Sequence, residues 1–153
     1  AQARLLDLFG GSGAIAFELL SNGAAAAVVV ELLPKTAGLI SLNARSLGVA
    51  QSVEVVQGDG IAAIEGLYRR KEAFDIVIVA PPYGLGLQQK AIASLARHPV
   101  LKPGGVIIVQ REEREPQVAP PDGLALVRTR EYGRTVFDFY AQGASGVQPL
   151  QKA

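Results

Sequence analysis

Leu5-Leu6-Asp7-Leu8-Phe9-Gly10-Gly11-Ser12-Gly13 is the stretch that decides the fold. Leu5, Leu6, Leu8 and Phe9 flank one acid and read as a buried strand. Gly10, Gly11 and Gly13 then open a turn, and a helical pattern runs on to Ser21. Strand, glycine turn and helix in this order place free backbone N–H groups at a helix start, and glycine lets a ligand lie against the backbone. Such a unit builds a pocket at the carboxyl edge of a parallel sheet.

The rest of the chain repeats the alternation. Apolar strands are expected at 4–9, 26–31, 53–57, 74–79 and 106–110, and helices at 12–21, 34–46, 61–71 and 87–97. In the second helix Leu39, Leu42 and Leu47 are expected on a buried stripe, and in the third Ile61, Ile64 and Leu67 point inward. Lys102-Pro103-Gly104-Gly105 reads as a turn, and 112–123 as a charged, proline-containing surface loop. Two further strands, near 124–130 and 135–141, are linked by Tyr132-Gly133-Arg134 and form an antiparallel hairpin. The expected fold is α/β and Rossmann-like: seven strands, mostly parallel, with a C-terminal antiparallel hairpin. Residues 1–142 make one domain, and 143–153 are expected to form a frayed tail.

Composition narrows the class. The chain has 153 residues, 49% hydrophobic and 19% charged, which suits one domain with a full core. It has no cysteine, so disulfides, thiol nucleophiles and thiolate zinc sites are excluded. His98 is the only histidine, and no metal site is expected. No apolar run has the length a bilayer needs: the longest candidate, Ala24 to Leu33, is interrupted by Glu31. No signal peptide is visible, and a cytoplasmic location is expected. Methionine is absent even at residue 1, so an upstream segment is expected before it. The net charge of +1 lacks the strong basic excess of many nucleic-acid binders. The clusters Arg69-Arg70-Lys71, Arg111 with Arg114, and Arg128, Arg130 and Arg134 read as solvated faces interspersed with acids.

Two ligand classes use a glycine turn of this kind. Gly11-Ser12-Gly13-Ala14-Ile15-Ala16 fits the Gly-x-Gly-x-x-Gly/Ala pattern of dinucleotide sites, where a pyrophosphate meets the helix start. The other ligand is S-adenosyl-L-methionine, whose amino-acid end lies against the same turn. Asp7 favours the second, because a carboxylate there repels a pyrophosphate and suits an ammonium and a sulfonium. Glu31 ends the second strand and can accept both ribose hydroxyls of either ligand. Asp59 ends the third, beside Gly58 and Gly60, and has two readings: acceptor for an adenine amino group, or N-cap of the next helix. Asn43 either braces the turn after the fourth strand or faces solvent. At Ala80-Pro81-Pro82-Tyr83 two prolines stop a central strand and fix the backbone after it. The Pro81 carbonyl can then accept from an N–H, and Tyr83 can stack on a planar ring.

In this order, Leu-Asp-Leu-Phe-Gly-Gly-Ser-Gly, Glu31, Asn43, Gly58-Asp59 and Ala-Pro-Pro-Tyr resemble the RsmD-like family of 16S rRNA guanine-N2 methyltransferases. The resemblance runs from Leu5 to about Tyr140 and includes Glu131-Tyr132-Gly133-Arg134-Thr135. It implies a class I methyltransferase fold with S-adenosyl-L-methionine as cofactor, and 16S rRNA or the small ribosomal subunit particle as partner. By position, Asp7, Gly10, Gly11, Ser12 and Gly13 would serve the methionine end of the cofactor, Glu31 the ribose, and Asp59 and Gly60 the adenine. Ala80, Pro81 and Tyr83 would form the catalytic turn that grips a flipped guanine. The family's usual acid or amide at the first of these positions is Ala80 here. The implied chemistry is in-line attack by the guanine amine on the sulfonium methyl, with alignment as the enzyme's main contribution. A monomer is expected. The competing expectations are a weakly catalytic cofactor-binding module for RNA or ribosome assembly, and a nicotinamide-dependent oxidoreductase.

Overall fold

The computed structural model describes residues 2–143. Of the expected tail at 143–153, residues 144–153 lie outside the described residues. The elements are β1 (Arg4–Asp7), α1 (Ala14–Ser21), β2 (Ala26–Glu31), α2 (Pro34–Ser46), a single 3-10 turn at Ala50–Ser52, β3 (Val53–Gln57), α3 (Gly60–Arg69), β4 (Phe74–Val79), α4 (Leu87–Arg97), β5 (Leu101–Glu112), β6 (Leu124–Tyr132) and β7 (Thr135–Gln142).

All seven strands form one sheet in the order β3-β2-β1-β4-β5-β7-β6. The first five are parallel, and β7 runs antiparallel between β5 and β6. This is the expected fold. Strand order reverses between β1 and β4, so a crevice opens above their carboxyl ends, where ligands bind in open α/β sheets. Asp7 is opposite Val29 of β2 and Ile78 of β4, which puts it on the floor of that edge.

Alternate residues of the strands feed two apolar layers. Leu6, Leu8, Val28, Val30, Val77 and Val79 pack toward α3 and α4 with Ile64, Leu67, Ile92 and Leu95. Leu5, Ala27, Val29 and Ile78 pack the other way, with Ala16 of α1 and Ile40 of α2. The second layer is thinner: a recess of about 600 Å³ lies between α1 and the Ile78, Ile108, Phe137 and Phe139 side chains. Among the described residues no helix is long and apolar enough to cross a membrane.

Three expectations need correction. Leu39, Leu42 and Leu47 do not face the core: they are 50%, 50% and 62% exposed. Ala37, Ile40 and Ala44 occupy the buried row of α2 instead, because small side chains at its two ends let the helix lie close to the sheet. The helix α1 begins at Ala14 and not Ser12, since Gly13 is its N-cap with φ 82°. Lys102-Pro103-Gly104-Gly105 lies inside β5 and not before it. Its register to β4 jumps from Phe74–Leu101 to Ile76–Val106, so the turn survives as a bulge within the strand. At the end of α3, Lys71 takes φ 60°, the left-handed conformation that usually falls to glycine at a helix end.

Candidate cofactor cleft and acceptor loop

The glycine turn holds its shape through backbone bonds. The Gly10 N–H donates to the Val30 carbonyl at 2.8 Å, and the Gly13 N–H to the Gly10 carbonyl at 2.8 Å. A Cβ on Gly10 would meet Val29 Cγ1 at 2.4 Å, so the turn packs against β2 only with glycine there. The start of α3 comes equally close on the other side: a Cβ on Gly60 would stand 2.1 Å from the Leu8 carbonyl oxygen. Space opens over Gly11, where an added Cβ would meet nothing within 4 Å.

Glu31 is tied into this turn. Its Oε1 accepts the Gly11 N–H at 2.8 Å and its Oε2 the Leu33 N–H at 2.9 Å. Each oxygen keeps a further lone pair for a ligand hydroxyl. Asp59 is the N-cap of α3, with Oδ2 accepting the Ala62 N–H at 2.8 Å. Of its two sequence readings the cap is realised, and the second carboxylate oxygen remains for another donor. Asp7 is only 1% exposed, and its hydrogen bond from the Phe9 N–H is long, 3.3 Å. Burial raises its carboxyl to about 6, with Glu31 adding to the effect and the Phe9 N–H opposing it. A desolvated carboxylate with so little compensation favours a cationic partner.

A cleft of about 450 Å³ gathers Gly11, Glu31, Asp59 and Gly60 with Ala80, Pro81 and Pro82. Leu8, Phe9, Leu32, Leu33, Leu85 and Leu87 supply its apolar walls. Its size suits a small molecule with one nucleoside. Asp7, Gly10, Ser12 and Gly13 are outside this lining. They form the floor and the helix start, where the Ser12 hydroxyl accepts the Ala14 N–H at 3.3 Å. Tyr83 is outside it too: its ring is 42% exposed, and its hydroxyl accepts from Gln110 Nε2 at 2.8 Å. Asn43 is exposed on α2, the solvent-facing one of its two readings.

The loop carrying Pro81 to Tyr83 is held from residues that the sequence does not single out. Glu115 accepts the Gly84 N–H at 2.9 Å. Gln88 Nε2 reaches the same carboxylate at 3.2 Å and 3.3 Å. Arg111 is not on a solvated face: it pairs with the fully buried Asp138 at 2.6 Å, across β5 and β7. The neighbouring acids Glu112, Glu113 and Glu115 disguise both residues as part of a surface charge run.

A mostly parallel sheet ending in β7–β6, with a glycine turn after β1 and carboxylates at the ends of β2 and β3, defines the Rossmann-like methyltransferase class. An RNA methyltransferase of Salinibacter ruber, solved in complex with S-adenosyl-L-homocysteine, shares the fold. Its TM-score is 0.69 at 22% identity, over 95% of this chain and 83% of that one. The chain belongs to the family described as "Conserved hypothetical protein 95", which matches residues 1–141. It is similar to the ribosomal RNA small subunit methyltransferase D of Haemophilus influenzae, 28% identical over 140 residues, covering 91% of this chain and 72% of the relative. It is also similar to a solved putative methyltransferase, yhhF, from Escherichia coli. There the TM-score is 0.81 at 27% identity, over 94% of this chain and 78% of the other.

Proposed function

We propose that residues 1–142 form the methyltransferase domain of an S-adenosyl-L-methionine-dependent enzyme that methylates N2 of a guanine in 16S ribosomal RNA. The cleft joining Gly11, Glu31 and Asp59 to the Pro81-Pro82 turn is the observation that carries this reading, because it sets a nucleoside site beside a loop suited to an amine. Family membership and the names of the relatives support the substrate class.

The residues fit the cofactor. Asp7, buried and poorly compensated, suits the ammonium of a methionine moiety and would oppose a pyrophosphate. Glu31 accepts the ribose hydroxyls through the lone pairs that Gly11 and Leu33 leave free. Asp59 accepts the adenine amino group with the oxygen not used for capping. When bound, the cofactor supplies an electrophilic methyl group on a sulfonium. The Pro81 carbonyl accepts from the guanine amine and aims its lone pair, and Tyr83 stacks on the base once it leaves its helix. Ala80 offers no side-chain acceptor, so that backbone carbonyl works without the usual neighbour. The partner is 16S rRNA or the small subunit particle, met in the cytoplasm by a monomer.

Calorimetry with S-adenosyl-L-homocysteine, run beside NAD, tests the cofactor. Mass spectrometry of 16S rRNA from a deletion strain tests the substrate, with loss of one N2-methylguanosine expected. Failure to bind the nucleoside, or tighter binding of NAD, overturns the reading. Ala80 gives one rival specific support: cofactor and RNA binding with no methyl transfer would establish a weakly catalytic assembly module instead.

A further inference from the structure

We propose that Glu115 is a positioning residue for methyl transfer: its carboxylate fixes the acceptor loop after β4 by bonding to it from the loop after β5. The inference rests on the methyl-transfer reading above. The two carboxylate oxygens have separate tasks. Oε2 accepts the N–H of Gly84, the residue next to Tyr83, at 2.9 Å. Oε1 accepts the Glu112 N–H at 2.9 Å, at the end of β5. Gln88 Nε2 bridges both oxygens from the first turn of α4. One side chain thus joins a strand end, a helix start and the acceptor loop.

The support under Glu115 is itself anchored. Arg111 Nη1 donates to the Glu115 carbonyl at 2.9 Å, while its Nε pairs with the buried Asp138. Asp138 also accepts from Gln117 Nε2 at 3.0 Å and from the Thr129 hydroxyl at 2.9 Å. Tyr140 holds the same loop farther on, its hydroxyl donating to the Val118 carbonyl at 2.6 Å. A fixed platform therefore presents the carboxylate. Tyr83 is fixed from the same side, through Gln110 of β5. Burial works to raise the Glu115 carboxyl, but the Gly84 and Glu112 N–H groups, the Gln88 amide and the Arg111 charge outweigh it and hold it below the usual carboxylate range. The carboxylate is thus charged, and holds the loop, across the neutral range. Glu115 is not among the residues lining the cofactor cleft, so its effect on the reaction passes through the position of Pro81 and Tyr83.

The test compares the intact protein with Glu115→Ala and Glu115→Gln, and with Glu113→Ala as an exposed neighbour. Three quantities are read: deuterium uptake of the 83–87 amides, affinity for S-adenosyl-L-homocysteine, and kcat and KM on 16S rRNA particles from the deletion strain. Both Glu115 variants should speed exchange at Gly84 and lower kcat by about tenfold, the effect of one lost charged hydrogen bond, with cofactor affinity within about twofold of wild type. Glutamine should not rescue, because it has one oxygen for two N–H donors. Glu113→Ala should behave as wild type. Unchanged Gly84 exchange in Glu115→Ala overturns the proposal, as does full turnover in Glu115→Gln. A loss of cofactor affinity parallel to a fall in Tm overturns it too, by showing a general structural role. If the intact protein transfers no methyl group, the function reading falls and the exchange measurement alone decides whether Glu115 holds the loop.

Discussion

The two ends of the crevice are built differently. The cofactor end, over β1, β2 and β3, is made from backbone. Gly10, Gly11 and Gly13 shape it, and the carboxylates of Asp7, Glu31 and Asp59 bond to main-chain N–H groups within about twenty positions. The acceptor end, over β4 and β5, is made from side chains. Gln110 reaches back 27 positions to Tyr83, and Glu115 is 31 positions from Gly84. A backbone site tolerates few residue types and therefore has a recognisable wording. A side-chain site can be assembled from any residues that the fold brings near, so it leaves little trace in local sequence.

Variants can break that contrast, and the largest effect is expected at the backbone end. Gly60→Ala forces a methyl group against the Leu8 carbonyl, and neither backbone can yield cheaply. It should cost about 3 kcal/mol in chemical denaturation, or prevent folding outright. Glu31→Ala removes the proposed ribose acceptor and frees the Gly11 and Leu33 N–H groups. It should weaken S-adenosyl-L-homocysteine by about thirtyfold in calorimetry, near 2 kcal/mol, with a smaller effect on stability. An unchanged affinity would show that Glu31 only braces the turn.

Asp7 gives a pH signature. Its folded carboxyl is raised to about 6 from an ordinary 3.8, so its contribution to stability is fully present below the lower value and is lost as pH rises through the higher. Between about pH 5 and pH 7.5, wild type should lose about 1.4 kcal/mol relative to Asp7→Asn in the ligand-free state. Melting curves at the two pH values check this, and parallel curves would place the titrating group elsewhere. Asp59→Ala should remove about 1 kcal/mol, the ordinary worth of an N-cap, and should also weaken the cofactor. The smallest effect belongs to the acceptor end. Tyr83→Phe keeps the stacking ring and drops the bond to Gln110, so turnover should fall only a few-fold with cofactor affinity unchanged.

How far the chain could be read follows the same division. The strands β2, β3 and β4 and the helices α2 and α4 fall where the alternation places them, because long apolar runs and Gly or Pro boundaries determine them locally. The glycine turn after β1 was legible for that reason, as was the N-cap reading of Asp59. The buried face of α2 was not. Leucine is more apolar than alanine, yet close packing on the sheet selected Ala37, Ile40 and Ala44. Neither were Arg111 and Glu115, since Arg111-Glu112-Glu113-Arg114-Glu115 looks like any solvated run. The burial of Arg111 depends on Asp138, two strands later. Only the sheet order, with β7 inserted between β5 and β6, makes that pairing visible.

Lys71 offers something of practical use. Its left-handed backbone belongs to a residue with a side chain, just past the end of α3 opposite the Asp59 cap, and Lys71 does not line the cleft. Lys71→Gly should relieve about 1 kcal/mol of that torsional burden. A sturdier parent of this kind would let crippled versions such as Gly60→Ala be produced and measured rather than lost during expression.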